Sequence, residues 1–236
     1  MIKKNKAFFN WSGGKDSALC LFNILSKPNW DICFLFTTLN GKNKRVSMHG
    51  VSEILLEKQA ESINIPLKKL YLPEQTSMDE YNLKMSNILS EAKADGIKHS
   101  IFGDIFLEDL RQYREKQLAL AGLKAEFPLW GRETKSVAKE FINKGFKAIV
   151  VSVDNRYLDQ SFAGRIYDDQ FIKDLPQNVD PCGENGEFHT FVFDGPVFKK
   201  PIAFKKGDIV FKEYQSPDKS LPEQTIGFWF CDLNPN

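Results

Sequence analysis

Between a short apolar run, Ala7-Phe8-Phe9, and an amphipathic stretch that begins at about Asp16 lies the hexapeptide Ser12-Gly-Gly-Lys-Asp-Ser17. No other feature constrains the fold as much, because it reads as a buried strand turning at once into a helix. Two adjacent glycines open backbone conformations closed to other residues and let N–H groups approach a ligand closely. The helix adds unpaired amide donors and the positive end of its dipole. Together these parts predict a site for a phosphate or pyrophosphate group. The bland alternative is a glycine turn capped by Ser12 or Asp16, with no ligand. The spacing is neither Gly-x-x-x-x-Gly-Lys-Ser/Thr nor Gly-x-Gly-x-x-Gly, so this is a third kind of phosphate loop.

The first half of the chain alternates strand and helix signals. Ala18, Leu19, Phe22 and Leu25 form one helical stripe, and Pro28 marks its end. Asp31–Leu39 is a continuous apolar run, as a strand covered on both faces requires. A helix over about Val51–Ile63, a strand over Leu67–Leu72 and a helix started by Ser77 and Glu80 in a capping box follow. Then come an apolar stretch, Ser100–Gly103, and a helix near Glu108–Ala121. This alternation predicts an α/β fold, a parallel sheet flanked by helices with right-handed crossovers. Ligands bind such sheets beyond the carboxyl ends of the strands. Ser12–Ser17, Thr37–Leu39 and Gly103–Asp104 all fall at predicted strand ends and should converge on one crevice.

The second half reads differently. Strand signals at Lys147–Val153, Phe188–Phe193, Asp208–Tyr214 and Ile226–Cys231 are interrupted only by a short helical region near Asp168–Leu175. Strands without intervening helices predict antiparallel pairing in a smaller α+β domain. The boundary falls near Trp130–Thr134, dividing the chain into 1–131 and 132–236.

Composition excludes some classes of function. With 32 basic against 31 acidic residues the chain lacks a broad electrostatic footprint for nucleic acid. Its four cysteines show no paired spacing of the zinc type. Cys20 and Cys33 read as core thiols and Cys182 as structural. No signal-peptide or membrane-spanning run is visible, so no membrane partner and a cytoplasmic location are expected.

Ser12–Ser17 resembles the PP-loop of the ATP pyrophosphatases, which cleave ATP between the α and β phosphates. Four further segments make the chain similar to the diphthine–ammonia ligase family and its uncharacterised relatives. They are Arg45-Val-Ser-Met-His-Gly-Val51, Phe102-Gly-Asp-Ile105, Pro128-Leu-Trp-Gly-Arg132 and Pro181-Cys-Gly-Glu-Asn-Gly-Glu-Phe-His-Thr190. The resemblance covers nearly the full length. It implies a Rossmann-like, HUP-type nucleotide domain, with ATP and Mg²⁺ as cofactors. The implied reaction is adenylylation of a carboxylate, loss of pyrophosphate and attack by ammonia to give an amide and AMP. The acceptor would be protein-bound diphthine or an unidentified small molecule, and a homodimer stays open. Two rivals stand beside this reading, a PP-loop tRNA-modifying enzyme and a non-catalytic ATP-binding module.

In the loop, Ser12 and Ser17 offer hydroxyls, Gly13 and Gly14 offer amides, and Lys15 offers a cation to the leaving pyrophosphate. Asp16 holds Mg²⁺ or caps the helix. By the resemblance, adenine lies near Phe9, Asn10 and Thr37, and His49 leans towards the nucleotide pocket. His99 reads as a surface residue. Gly103 and Asp104 end a strand, and Asp104 is a catalytic candidate, whereas Arg111 and Arg114 on the next helix could neutralise developing charge, Arg111 as a lesser candidate. Glu184, Asn185, Glu187 and His189 are costly to bury without use, although a plain hairpin also collects such residues. If the strand starts early, period-two alternation sets Glu187 and His189 on one face towards one ligand. The family match implies substrate recognition by this motif, with Glu187 catalytic. Arg165, in a family-like Gly164-Arg165 pair, is a candidate partner for a substrate carboxylate.

Overall fold

Ala7, Phe8 and Phe9 are almost completely buried because their strand lies at the centre of a sheet covered on both faces. The computed structural model describes residues 4–46, 49–73, 76–215 and 225–236. The first layer comprises β1 (Asn5–Asn10), α1 (Lys15–Leu25), β2 (Trp30–Asn40), α2 (Glu53–Ile63), β3 (Leu67–Leu72), α3 (Met78–Ala94), β4 (His99–Ile101), α4 (Glu108–Ala121) and β5 (Lys124–Glu126). Its strands are all parallel, in the order β3-β2-β1-β4-β5. The order reverses between β1 and β4, which opens a crevice beyond their carboxyl ends. Side chains alternate across β1 as a strand demands. Ala7 and Phe9 pack into the larger core with α1 and α2. Phe8 faces the other way, stacks on Phe34 at 5.2 Å and joins the smaller core under α3 and α4.

The second layer comprises α5 (Thr134–Asn143), β6 (Lys147–Asp154), α6 (Asp169–Asp174), β7 (Phe188–Asp194), β8 (Phe204–Gln215) and β9 (Thr225–Pro235). Its sheet is antiparallel, in the order β7-β6-β9-β8. The α/β class and both strand systems match the expectations from sequence. The pattern reading missed α5, whose buried Val137, Ala138 and Phe141 form one stripe, and the short β5. Ser77 accepts from the Glu80 amide and caps α3 as predicted. The larger core is continuous from α1 and α2 into β6, β7 and β9, so the two sheets share one interior. That shared interior brings β7 against the phosphate loop. Among the described residues, no helix is long and apolar enough to cross a membrane.

Candidate active site

At the β1–β4 crevice lies a cavity of about 1100 Å³, walled by the phosphate loop, residues 36–38 of β2, the end of β4, α3, α4 and residues of the Cys182–Thr190 segment. Ser12, Gly14, Lys15, Asp16, Ser17, Thr37, His49, Gly103, Asp104, Glu184, Asn185 and His189 all line it. Residues far apart in sequence therefore meet at one place because the chain crosses over at this point of the sheet. Thr37 is inside β2, which runs on to Asn40, and reaches the cavity from the strand and not from its end. Ser47 and Met48, within the family-like segment 45–51, lie outside the described residues.

The loop is built by local bonds. Gly14 is the N-cap of α1 with no side-chain cap, which corrects the capping roles of Ser12 and Asp16. Ser12 Oγ instead accepts from the Gly14 amide at 3.2 Å and lies 3.1 Å from Ser17 Oγ. Ser17 donates to the Gly14 carbonyl at 2.9 Å. The Lys15 amide is taken by Thr190 Oγ1 on β7 at 3.1 Å. Gly13, expected to offer its amide to the ligand, does not line the cavity; its φ of +79° turns its carbonyl into the protein.

Lys15 is buried, with its ammonium 2.7 Å from Asp16 Oδ2 and also bonded to the Cys182 carbonyl. The rings of Tyr167 and Phe188 lie 5.6 and 5.4 Å from it. Burial works against the charge, but Asp16 and the neighbouring acidic groups outweigh it and hold the Lys15 ammonium above its ordinary range. Glu184 reaches across from the second layer, its Oε1 accepting from the Ile105 amide at 2.6 Å. Burial, helped by the Asp16 charge, pushes its carboxyl up to about 7. Asp104 pairs with Arg114, which lies over the Phe102 ring at 4.4 Å and lines the cavity. Arg111 instead pairs with Glu115 and stacks on Trp130, so Arg114 is the arginine of the site.

His49 and His189 stack at 4.3 Å on the cavity wall. Burial and the Lys15 charge lower His49 to about 4, and burial with the charges of His49 and Lys15 holds His189 well below its ordinary value. Both rings are therefore neutral at physiological pH. The unfolded chain takes up these protons first as pH falls, so stability is fully present above about pH 6.5 and declines towards pH 4. The slope is up to about 1.4 kcal/mol per pH unit for each ring. Urea unfolding from pH 7 to 4.5 should show this decline, and a His49→Phe, His189→Phe variant should flatten it.

Four expectations are corrected. Glu187 does not face the cavity beside His189: β7 starts at Phe188, and the buried Glu187 carboxylate accepts from the Asp180 and Asn185 amides and from Asn185 Nδ2. It shapes the turn that presents Glu184 and Asn185. Arg165 pairs with Asp174 at 2.5 Å and does not line the cavity. Phe9 is wholly buried, and Phe8 and Phe36 supply the aromatic wall instead. His99 is mostly covered, held 2.9 Å from Glu126 and edge-on to Trp30. Cys182, read as structural, is a buried thiol directed at the Thr134 carbonyl, its pKa raised by burial. Sequence reasoning overlooked Gln59, Tyr167 and Asp180, whose partners are distant in sequence or sit on irregular loops.

A 3-2-1-4-5 parallel sheet carrying Ser-Gly-Gly-Lys-Asp-Ser after its central strand defines a PP-loop protein of the HUP class. Residues 5–125 match the diphthamide synthase N-terminal domain and residues 133–217 the diphthamide synthase C-terminal domain. The chain belongs to this diphthamide synthase family. It is 26% identical over 243 residues to the diphthine–ammonia ligase of Danio rerio, covering 92% of this chain and 91% of that protein. The human diphthine–ammonia ligase is 31% identical over 105 residues, 42% of this chain and 38% of its own length. The Schizosaccharomyces pombe protein of the same name is 31% identical over 93 residues, 38% of this chain and 15% of its own. Among solved structures, the U34-tRNA thiolase NcsA from Methanococcus maripaludis is similar over 60% of this chain and 58% of that one, at 18% identity and a TM-score of 0.37.

Proposed function

We propose that this protein is an ATP-dependent amide-forming ligase that activates a carboxylate as its acyl-adenylate and passes it to ammonia. The observation that carries the reading is the meeting of the Gly14–Ser17 loop with Asp104, Arg114, Glu184 and Asn185 around one cavity. In this division of labour, residues 1–131 hold ATP and residues 132–236 present the acceptor. The triphosphate lies on the Gly14 amide, the Ser12 and Ser17 hydroxyls and the Lys15 ammonium, all of which become more favourable as negative charge gathers on departing pyrophosphate. Adenine packs against Phe8 and Phe36 beside Asn10 and Thr37. His49 and His189, neutral and stacked, form a wall that adds no charge next to the phosphates. Asp16 lines the loop with a quarter of its side chain exposed. One such carboxylate suits Mg²⁺, which takes few protein ligands and the rest from phosphate and water. Held there, the ion would neutralise pyrophosphate as it leaves.

Glu184 and Asn185 orient the acceptor so that its carboxylate meets the α-phosphate in line. Attack of the carboxylate on that phosphorus breaks the α–β anhydride and releases pyrophosphate. Ammonia then attacks the acyl carbon, AMP leaves with the electron pair of the C–O bond, and the nitrogen sheds one proton to solvent to give the neutral amide. The diphthine acceptor of the named relatives is the first acceptor to test. Incubation with ATP, ammonium and either diphthine-bearing elongation factor or small-molecule carboxylate pools, read by mass spectrometry, should yield AMP, pyrophosphate and one new amide in equal amounts. Release of ADP and phosphate, or no nucleotide turnover with any acceptor, would overturn the reading.

A further inference from the structure

Gln59 is a fully buried amide on α2 that takes part in none of the chemistry above, yet its partners are the loop and both sheets. Its Nε2 donates to the Gly13 carbonyl at 3.1 Å and to the Val192 carbonyl of β7 at 2.6 Å. Its Oε1 accepts from Trp11 Nε1, just past β1, at 2.9 Å. A buried carboxamide is costly unless its polar atoms are met, and here both donors and the acceptor are engaged. The Gly13 carbonyl also accepts from the Val192 amide at 2.9 Å, so both of its lone pairs are used.

These bonds fix more than a carbonyl. A trans peptide is planar, and its C=O and the following N–H point to opposite sides. Holding the Gly13 carbonyl inward therefore holds the Gly14 amide outward, where it donates to Ser12 Oγ at the cavity wall, 3.2 Å away, until a phosphate oxygen takes that place. The exposure agrees: Gly14 lines the cavity and Gly13 does not. The position also requires glycine, since a Cβ on Gly13 would stand 2.7 Å from Leu56 Cδ2 and 2.9 Å from Gln59 Oε1, at a φ of +79°.

We propose that Gln59 is a positioning residue that locks the Gly13–Gly14 peptide plane with its amide towards the cavity and ties that plane to β7. Affinity for the phosphate end of the nucleotide depends on this lock, and affinity for the nucleoside end does not. The inference rests on the nucleotide reading above. It predicts an asymmetry that a core residue filling space would not produce.

The test uses the full chain and two variants, Gln59→Met, which keeps length without donors, and Gln59→Glu, which keeps shape but replaces the NH₂. Binding of ATP, pyrophosphate and adenosine is measured by calorimetry, alongside thermal unfolding. ATP and pyrophosphate affinity should fall about tenfold or more, in keeping with the loss of an aimed hydrogen bond to a charged group, while adenosine shifts less than about twofold. Unchanged ATP affinity, or equal weakening of all three ligands, would overturn the proposal. If both variants fail to fold, Trp11→Phe carries the test: it removes the bond to Gln59 Oε1, together with part of an indole that lines the cavity, and should give a smaller loss in the same ligand order. Equal loss for adenosine there would likewise refute it. Wild-type protein that binds neither ATP nor pyrophosphate would instead strike down the nucleotide reading itself.

Discussion

Lys15→Met should cost about 3 kcal/mol of stability and lower AMP formation by about 100-fold or more, while adding Asp16→Asn should restore most of the stability and none of the turnover. The side chain of Lys15 is 5% exposed and that of Asp16 25%, and the two are 2.7 Å apart. Removing one partner strands the other charge in a poorly solvated site, which typically costs 3–5 kcal/mol. The partial exposure of Asp16 places the effect at the lower end of that range. Neutralising both groups removes the stranded charge, so packing and the remaining bonds sustain the fold. Turnover behaves otherwise, because a neutral pair supplies no cation to the leaving pyrophosphate. Urea unfolding and an AMP assay on the single and double variants check both halves. A single variant with full stability and full turnover would remove Lys15 from both roles.

Gly103→Ala should weaken ATP binding about tenfold or more and destabilise the fold by about 1–3 kcal/mol, although it adds one methyl group. That methyl would stand 3.1 Å from the Ser17 amide nitrogen and 3.2 Å from Asp16 C and Ser17 Cα. These are backbone atoms at the start of α1 and cannot swing aside as a side-chain tip can. Segment 102–104 and the phosphate loop must therefore move apart, which displaces Asp104 and the loop together. Gly131→Ala is the matched control, since its Cβ meets nothing within 4 Å and only its φ of +70° is strained. It should lose stability without loss of ATP affinity. Calorimetry and thermal unfolding of the two variants separate the effects, and equal ATP affinities would sink the argument.

The sequence was informative wherever a feature is set by neighbours in the chain. Phe8 and Phe9 in an unbroken apolar run point to a central strand, since both faces of such a strand must be covered. Ser77 with Glu80 marks a helix start because a cap is a bond between residues three apart. Ser12–Ser17 announces an anion site because a glycine turn before a helix concentrates amides whatever surrounds it. Glu187 shows where such reasoning stops. It precedes β7, which begins at Phe188, so strand alternation does not reach it, and turn bonds from Asp180 and Asn185 set its direction instead. Arg111 and Arg114 lie three residues apart on α4, a spacing that does not separate their roles, and only the packing against Phe102 and Asp104 selects Arg114.

The order of residues alone determined the α/β class, the phosphate loop and most of the side chains that meet at the cavity, because strands, turns and helix starts are short-range consequences of apolar spacing and backbone freedom. Tertiary structure alone decided which way the Gly14 amide points, that Arg165 turns to Asp174, and that Gln59 joins the loop to β7. Those outcomes depend on partners 9 to 179 residues apart in the chain, and the bonds to β7 form only when two sheets bury a common core.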